Sequence, residues 1–290
     1  MPLWNEYHLP TSVDEAVAVL ARYDGQARAV AGGTDLILDL QQGNEHPVEA
    51  LVDVTRIAGL NEIRQVNGTI TIGCGVTHNQ IVSNELLHQK ATCLVEASYV
   101  VGGPQVRNVA TLGGNVAHAL PAADGSISLL ALDAQAEVAC MDGRRRVPLS
   151  ALFKGPGEST LDPHCDLLVG FYLPLYKKGQ ASAFSRRVSP QGIPLAILNL
   201  SVWLERKEDR IVNIRIAVGP SGPVPLRMIA AEKVLIDQTP SQEVLAHALD
   251  QLLNEAHFRT SLHRASAEYR RHLAGILLQE AFTNAWQRAE

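Results

Sequence analysis

The sequence predicts an α+β protein built from more than one domain, and three observations lead there. A helix–strand–turn–helix–strand alternation opens the chain, an Asn-Gly hairpin and further strand pairs follow, and a long apolar-striped helical tail closes it. The 290 residues suffice for two cores. Apolar residues at 46% and charged residues at 19% make an ordinary globular composition.

Residues 11–25, "TSVDEAVAVLARYDG", read as a helix with Ser12 and Glu15 as a capping box. Val13, Ala16, Val17 and Leu20 share one face, and Gly25 is a natural stop. "ARAVAG" is a buried strand feeding a double glycine, "LILDLQQG" a short helix, and "ALVDVT" another buried strand, together a small α/β unit with parallel strands. Asn67-Gly68 then sits between β-rich segments, a hairpin. Thr77 to Gln80 cap another helix. "LLALDAQAEVACMDGRRRVPL" gives a helix end, a strand, a turn at Asp142-Gly143 and a second strand, with Arg144, Arg145 and Arg146 as a solvated hairpin turn. "GPGEST" (155–160) reads as a surface loop, "DLLVGFYLP" as a strand closed by Pro174, and 173–180 as a linker. "IPLAILNLSVWLER" and "RIVNIRIAVGP" are paired strands, the second alternating Ile214, Ile216 and Val218 with Asn213, Arg215 and Ala217. Thr239-Pro240-Ser241-Gln242 combines an N-cap, proline at the first helical position and a capping glutamine. Val244, Leu245, Ala248, Leu249, Leu252 and Leu253 stripe that helix, and a last helix runs from about Ser266 to Trp286.

A formal charge of −5 argues against a nucleic-acid surface. No apolar run approaches the roughly 20 residues that span a bilayer. The N-terminal stretch lacks the pattern of a signal peptide. Cys74, Cys93, Cys140 and Cys165 are scattered with no C-x-x-C pair, so they read as free thiols of a reducing cytoplasm and no metal site is assigned.

Two double-glycine stretches carry the functional reading. "AGGTD" (31–35) lies between a strand and a helix, and "TLGGN" (111–115) lies in a segment rich in small residues and amides. Glycine accepts positive φ and lets a ligand reach the backbone, and successive N–H groups in such a turn form an anion nest. Neither stretch has the three-glycine spacing of a Rossmann turn or the Gly-Lys-Ser/Thr of a nucleoside triphosphate loop. Taken alone, each is also an ordinary tight turn.

"AGGTD" together with "QVRNVATLGGNVAHALPAAD" resembles the FAD-binding subunit of the molybdenum hydroxylases, the xanthine dehydrogenase and carbon monoxide dehydrogenase family. "ASAEYRRHLAGILLQEA" is similar to the segment that typifies that flavoprotein's last domain. The resemblance covers nearly the whole chain. It implies a vanillyl-alcohol-oxidase-like, PCMH-type FAD-binding domain over 1–176, with subdomains of about 1–57 and 58–176. A smaller domain over 177–290 would hold a three-stranded antiparallel sheet and helices.

By the same resemblance, Ala29, Val30, Ala31, Gly32, Gly33, Thr34 and Asp35 wrap the FAD pyrophosphate from one side. Ala110, Thr111, Gly114, Asn115 and His118 do so from the other, Asp124 holds the adenosine ribose hydroxyls, and Val101 and Leu168 lie near the flavin ring. Arg186-Arg187 resembles the arginine pair that follows the family's interdomain linker; the acidic residue found a few positions later is replaced here by Pro194, which removes support for an acceptor contact there. No catalytic base or nucleophile is assigned, as expected where the cofactor supplies the chemistry.

The resemblance further implies partners. An iron–sulfur small subunit with two [2Fe–2S] clusters and a molybdopterin large subunit would form a dimer of heterotrimers with this chain. NAD or another acceptor would take the electrons. N-heterocycles such as purines or nicotinate, aldehydes and carbon monoxide are all candidate substrates, with "FKGPGESTL" leaning toward the xanthine dehydrogenase type. Four scattered cysteines and no insertion argue against the 4-hydroxybenzoyl-CoA reductase branch. A stand-alone FAD oxidase or reductase and a non-enzymatic assembly factor remain open as alternatives.

Overall fold

The computed structural model describes residues 2–189, 195–262 and 264–290. The stretch containing Pro194 lies outside the described residues.

The first unit contains β1 (Trp4–His8), α1 (Val13–Arg22), β2 (Ala27–Val30), α2 (Leu36–Gln42) and β3 (Val48–Asp53). Its sheet runs in the order β1-β3-β2 with both pairings parallel. The parallel unit was legible in the sequence; β1 was not, because "WNEYH" is mostly exposed and shows no apolar alternation. Ser12 caps α1, but Glu15 reaches the N–H of Thr11 rather than that of Ser12, so the reciprocal box is not formed.

The second unit comprises β4 (Ile63–Val66), β5 (Thr69–Gly73), α3 (His78–Val82), α4 (Glu85–Lys90), α5 (Thr92–Tyr99), α6 (Pro104–Arg107), α7 (Leu112–Ala117), α8 (Asp124–Ala131), β6 (Gln135–Cys140), β7 (Gly143–Pro148), β8 (Phe153–Gly155), β9 (Glu158–Ser159) and β10 (Leu167–Pro174). Five of its strands form an antiparallel sheet, β4-β5-β10-β6-β7, turning at Asn67-Gly68 between the first two. Thr77 and Gln80 make a full capping box on α3. The three consecutive arginines belong to β7 rather than to a turn. Arg144 pairs with Glu137, Arg145 grips Asp166 with two bonds of 3.0 and 2.6 Å, and Arg146 lies over the Tyr172 ring. Residues 155–160 form a small hairpin of β8 and β9, not an irregular loop.

The last unit holds β11 (Gln180–Val188), β12 (Ala196–Lys207), β13 (Arg210–Gly219), β14 (Leu226–Arg227), α9 (Ile229–Leu235), α10 (Gln242–Glu255) and α11 (Ala267–Arg288). Its antiparallel sheet has four strands where three were expected, because the two residues of β14 are too short to show in a hydropathy pattern. Ser241, not Thr239, caps α10, which places Pro240 before the helix. α11 covers β11 and β12, α9 packs on β13, and α10 lies against both helices, with Leu245, Ala248, Leu252, Leu273, Leu277 and Phe282 in a core of their own.

The first and second units share another core, which also takes in Phe184, Trp203 and Ala217 of the last unit, and the join to that unit is packed and polar. Tyr176, in the stretch expected to be a linker, is buried against Trp203 with ring centroids 5.6 Å apart. α5 and α8 lie on β11 and β12. Cys93 N–H donates to Ser182 Oγ at 3.1 Å, Ser128 Oγ lies 3.0 Å from Ser201 Oγ, and Phe184 N–H donates to Glu96 at 2.8 Å. The first two of these are fully buried, and buried polar groups are costly unless paired, so these bonds favour one relative placement of the units.

Candidate functional site

The first glycine loop leaves the carboxyl end of β2, an edge strand of the parallel sheet, where open α/β sheets bind ligands. Gly33 has φ +65°, a conformation that L side chains rarely adopt. Among the described residues, the N–H groups of Gly32, Gly33, Thr34 and Asp35 meet no protein acceptor. Consecutive unpaired N–H groups on one tight turn form a donor cradle for an anion. Ala29 and Asp35 are exposed, Val30 is buried, and Ala31 to Thr34 are half-buried.

The second loop is braced rather than open. Gly113 N–H donates to Cys74 O at 2.8 Å, Leu112 N–H to Val76 O at 2.9 Å, and His78 N–H to Ala110 O at 3.1 Å. Thr111 caps α7 by accepting from Gly114 N–H at 3.0 Å. Gly114 is exposed, and Asn115 and His118 are half-buried. Asn115 Oδ1 is buried with no hydrogen-bond partner, an arrangement that costs about 1–3 kcal/mol unless a ligand supplies a donor.

The two loops touch. A Cβ on Gly32 would lie 2.0 Å from Val109 O and 2.9 Å from Ala110 Cα, so only a bare backbone allows this approach. The fold thus brings the two double glycines to one place.

Asp124, first residue of α8, is buried and accepts from Arg186 Nη1 at 2.7 Å and from Asn199 Nδ2 at 2.6 Å. Burial pushes its carboxyl up, while the Arg186 guanidinium and the Asn199 amide pull the other way. Neither partner of Asp124 was assigned from sequence; the cross-strand register that sets Arg186 opposite Asn199 is visible only in the folded sheet. Val101 follows α5, and its carbonyl accepts from Arg107 Nη1 at 3.1 Å, which ties it to α6 ahead of the second loop. Leu168 is 5% exposed and belongs to the main core, next to Val169, whose carbonyl holds Cys74 N–H. A cavity of about 570 Å³ is lined by Tyr99, Val100, Phe184 and Arg186 among others, and the exposed Tyr99 ring carries the Arg107 guanidinium 5.4 Å from its centroid.

His78 is buried beside Ser98, and burial followed by the nearby Arg107 charge lowers it to about 4. The buried Cys74 and Cys93 thiols are pushed up to about 12 by burial, so they stay protonated. Among the described residues, no group of three or more His, Cys, Asp or Glu side chains is arranged to hold a metal ion, and no helix is long and apolar enough to cross a membrane.

Residues 4–176 match the family described as "FAD binding domain in molybdopterin dehydrogenase", and residues 189–285 match "CO dehydrogenase flavoprotein C-terminal domain". The chain belongs to the FAD-binding medium subunits of the molybdenum hydroxylases. It is similar to a carbon monoxide dehydrogenase chain of Hydrogenophaga pseudoflava, with TM-score 0.93, 30% identity and 99% of each chain covered. It is 28% identical to the xanthine dehydrogenase FAD-binding subunit of Escherichia coli O157:H7 over 96% of this chain and 95% of that one. It is 31% identical to the 6-hydroxypseudooxynicotine dehydrogenase complex subunit alpha of Paenarthrobacter nicotinovorans, over 98% and 95%. The medium subunits bind FAD, and the site built here suits a dinucleotide: a donor cradle, an orphaned amide oxygen and a glycine contact that a Cβ would fill.

Proposed function

We propose that this chain is the electron-transfer subunit of a multi-subunit hydroxylase. It takes electrons from [2Fe–2S] clusters on an iron–sulfur small subunit and passes them to NAD or another acceptor. A molybdopterin large subunit hydroxylates the substrate at a C–H group, and that substrate is a purine or another N-heterocycle. The complex is a dimer of heterotrimers in the cytoplasm, in keeping with the free cysteines. The motif resemblance supplies the partner and substrate reading; relatives are named for carbon monoxide, for xanthine and for a dehydrogenase complex.

The observation that carries the cofactor assignment is the contact of Gly32 with the second loop beside unpaired N–H groups. Gly32 to Asp35 hold the pyrophosphate with their N–H groups, Thr34 and Asp35 add side-chain contacts, and Ala29 to Ala31 complete that wall. Ala110, Thr111, Gly114, Asn115 and His118 close the opposite side, Asn115 Oδ1 accepting a ligand hydroxyl. Asp124 accepts from the ribose hydroxyls with lone pairs that Arg186 and Asn199 leave free. Val101 and Leu168 flank the ring end, and the cavity at Tyr99, Val100 and Phe184 gives an acceptor access to it. When bound, FAD supplies the redox chemistry, linking one-electron clusters to a two-electron acceptor. The chain's own work is to bind, orient and shield it.

The test is direct. The purified full-length chain should carry a flavin absorption spectrum or acquire one with FAD; a colourless chain that takes up none overturns the reading. Co-purification with an iron–sulfur and a molybdopterin subunit separates the complex from a stand-alone enzyme. Turnover of the complex on purines and other N-heterocycles, against aldehydes and carbon monoxide, then decides the substrate.

A further inference from the structure

The surroundings of Asp124 belong to a different unit from Asp124 itself. Arg186 on β11 and Asn199 on β12 stand directly opposite each other, and each donates to one oxygen of the carboxylate. Asn199 Nδ2 also donates to Ala122 O at 3.0 Å, holding the turn that precedes α8. On the next strand Gly219 faces Asn199, and a Cβ there would lie 2.4 Å from Pro121 O. Three neighbouring strands of the last unit therefore seat the segment that ends in Asp124. The arginine pair divides its work: Arg187 turns to Glu280 on α11, while Arg186 is only 12% exposed at its side chain and committed to the carboxylate.

A buried carboxylate needs a cation and well-placed donors to remain charged and in one orientation. Two donors occupy only half of its roughly four acceptor positions. We infer that Arg186 and Asn199 are positioning residues: the C-terminal sheet orients the Asp124 carboxylate for the cofactor's sugar hydroxyls, so that FAD affinity in the first domain depends on a residue pair from the last. This rests on the reading of Asp124 as an FAD contact. Its consequence is that FAD binding and docking of the C-terminal sheet stabilise one another, as any two processes sharing a preorganised group must.

The experiment is FAD titration of the full-length apo chain by flavin fluorescence, with thermal unfolding without FAD as the folding control. The variants are Asp124→Asn, Arg186→Gln, Arg186→Lys, Asn199→Ser and the double variant Asp124→Asn/Arg186→Gln. Loss of one charge-assisted hydrogen bond predicts Kd raised about tenfold or more in Asp124→Asn and in Arg186→Gln. Arg186→Lys, which keeps the cation, should recover to within about threefold of the parent. The double variant should bind no more weakly than Asp124→Asn, because a residue acting through another adds nothing once that other is gone. If Asp124→Asn binds FAD like the parent, the cofactor reading of Asp124 falls and the inference falls with it. If Asp124→Asn is impaired but Arg186→Gln and Asn199→Ser are not, or if the losses add in the double variant, the positioning role alone is overturned. Should Arg186→Gln not fold, Asn199→Ser and the lysine variant make the same discrimination.

Discussion

Replacing Gly32 by alanine probes the contact between the two glycine loops. The new methyl would sit 2.0 Å from Val109 O and 2.6 Å from Val109 C, where real Cβ contacts essentially never fall below 3.0 Å. The loops must part by about an ångström, and the obstacle is backbone on both sides, so no side chain can rotate away. Overpacking of this kind costs about 1–3 kcal/mol, and a backbone obstacle belongs at the upper end. If the displacement spoils the closed geometry that FAD requires, about 3 kcal/mol corresponds to roughly a hundredfold rise in Kd. The assay is FAD titration of the full-length apo protein, with circular dichroism to confirm that the fold persists. Gly43→Ala is the control: Gly43 has φ +75° with no atom within 4 Å of its Cβ position, so it carries backbone strain of about 1–2 kcal/mol but no clash between the loops. A Gly32→Ala protein that binds FAD within about threefold of the parent would refute the idea that loop contact shapes the site.

Gly33→Val places a β-branched side chain at φ +65° and should abolish FAD retention on a desalting column, with the loss read from absorbance. Asn115→Leu removes a buried oxygen that has no partner, so thermal stability without FAD should hold or rise while FAD Kd weakens about tenfold; unchanged affinity would exclude Asn115 from the site. His78 gives a pH dependence. Its folded pKa of about 4 lies below its ordinary 6.5, so the unfolded chain takes up the proton first and stability falls as pH drops from 6.5 towards 4, by about 3 kcal/mol in all. Folded His78 stays neutral down to about pH 4, so FAD binding should hold across this window and weaken only as pH nears 4, while His78→Gln should flatten the stability profile in urea titrations.

Much of the fold was legible because its signals are local. The apolar face of α1, the Asn67-Gly68 turn, the Thr77 cap and the alternation in β13 each depend on residues a few positions apart. The misreadings also have local causes. β1 and β14 are held by pairing partners rather than by pattern, and the three arginines of β7 look like a solvated turn until Glu137, Asp166 and Tyr172 are brought beside them.

For the site, the sequence by itself determined the two double glycines and the run of small residues around them, because backbone conformation at such turns depends on the presence or absence of a Cβ. Their spacing carried the family resemblance. Tertiary structure alone decided that Gly32 meets Val109 and Ala110, that Asn115 Oδ1 is left unpaired, and that Arg186 and Asn199 converge on Asp124. These are contacts between residues 77 positions apart in the case of Gly32 and Val109, and 62 and 75 apart at Asp124. Strand register and the docking of one sheet on another bring such residues together, and neither quantity is written in the spacing of residues along a single segment.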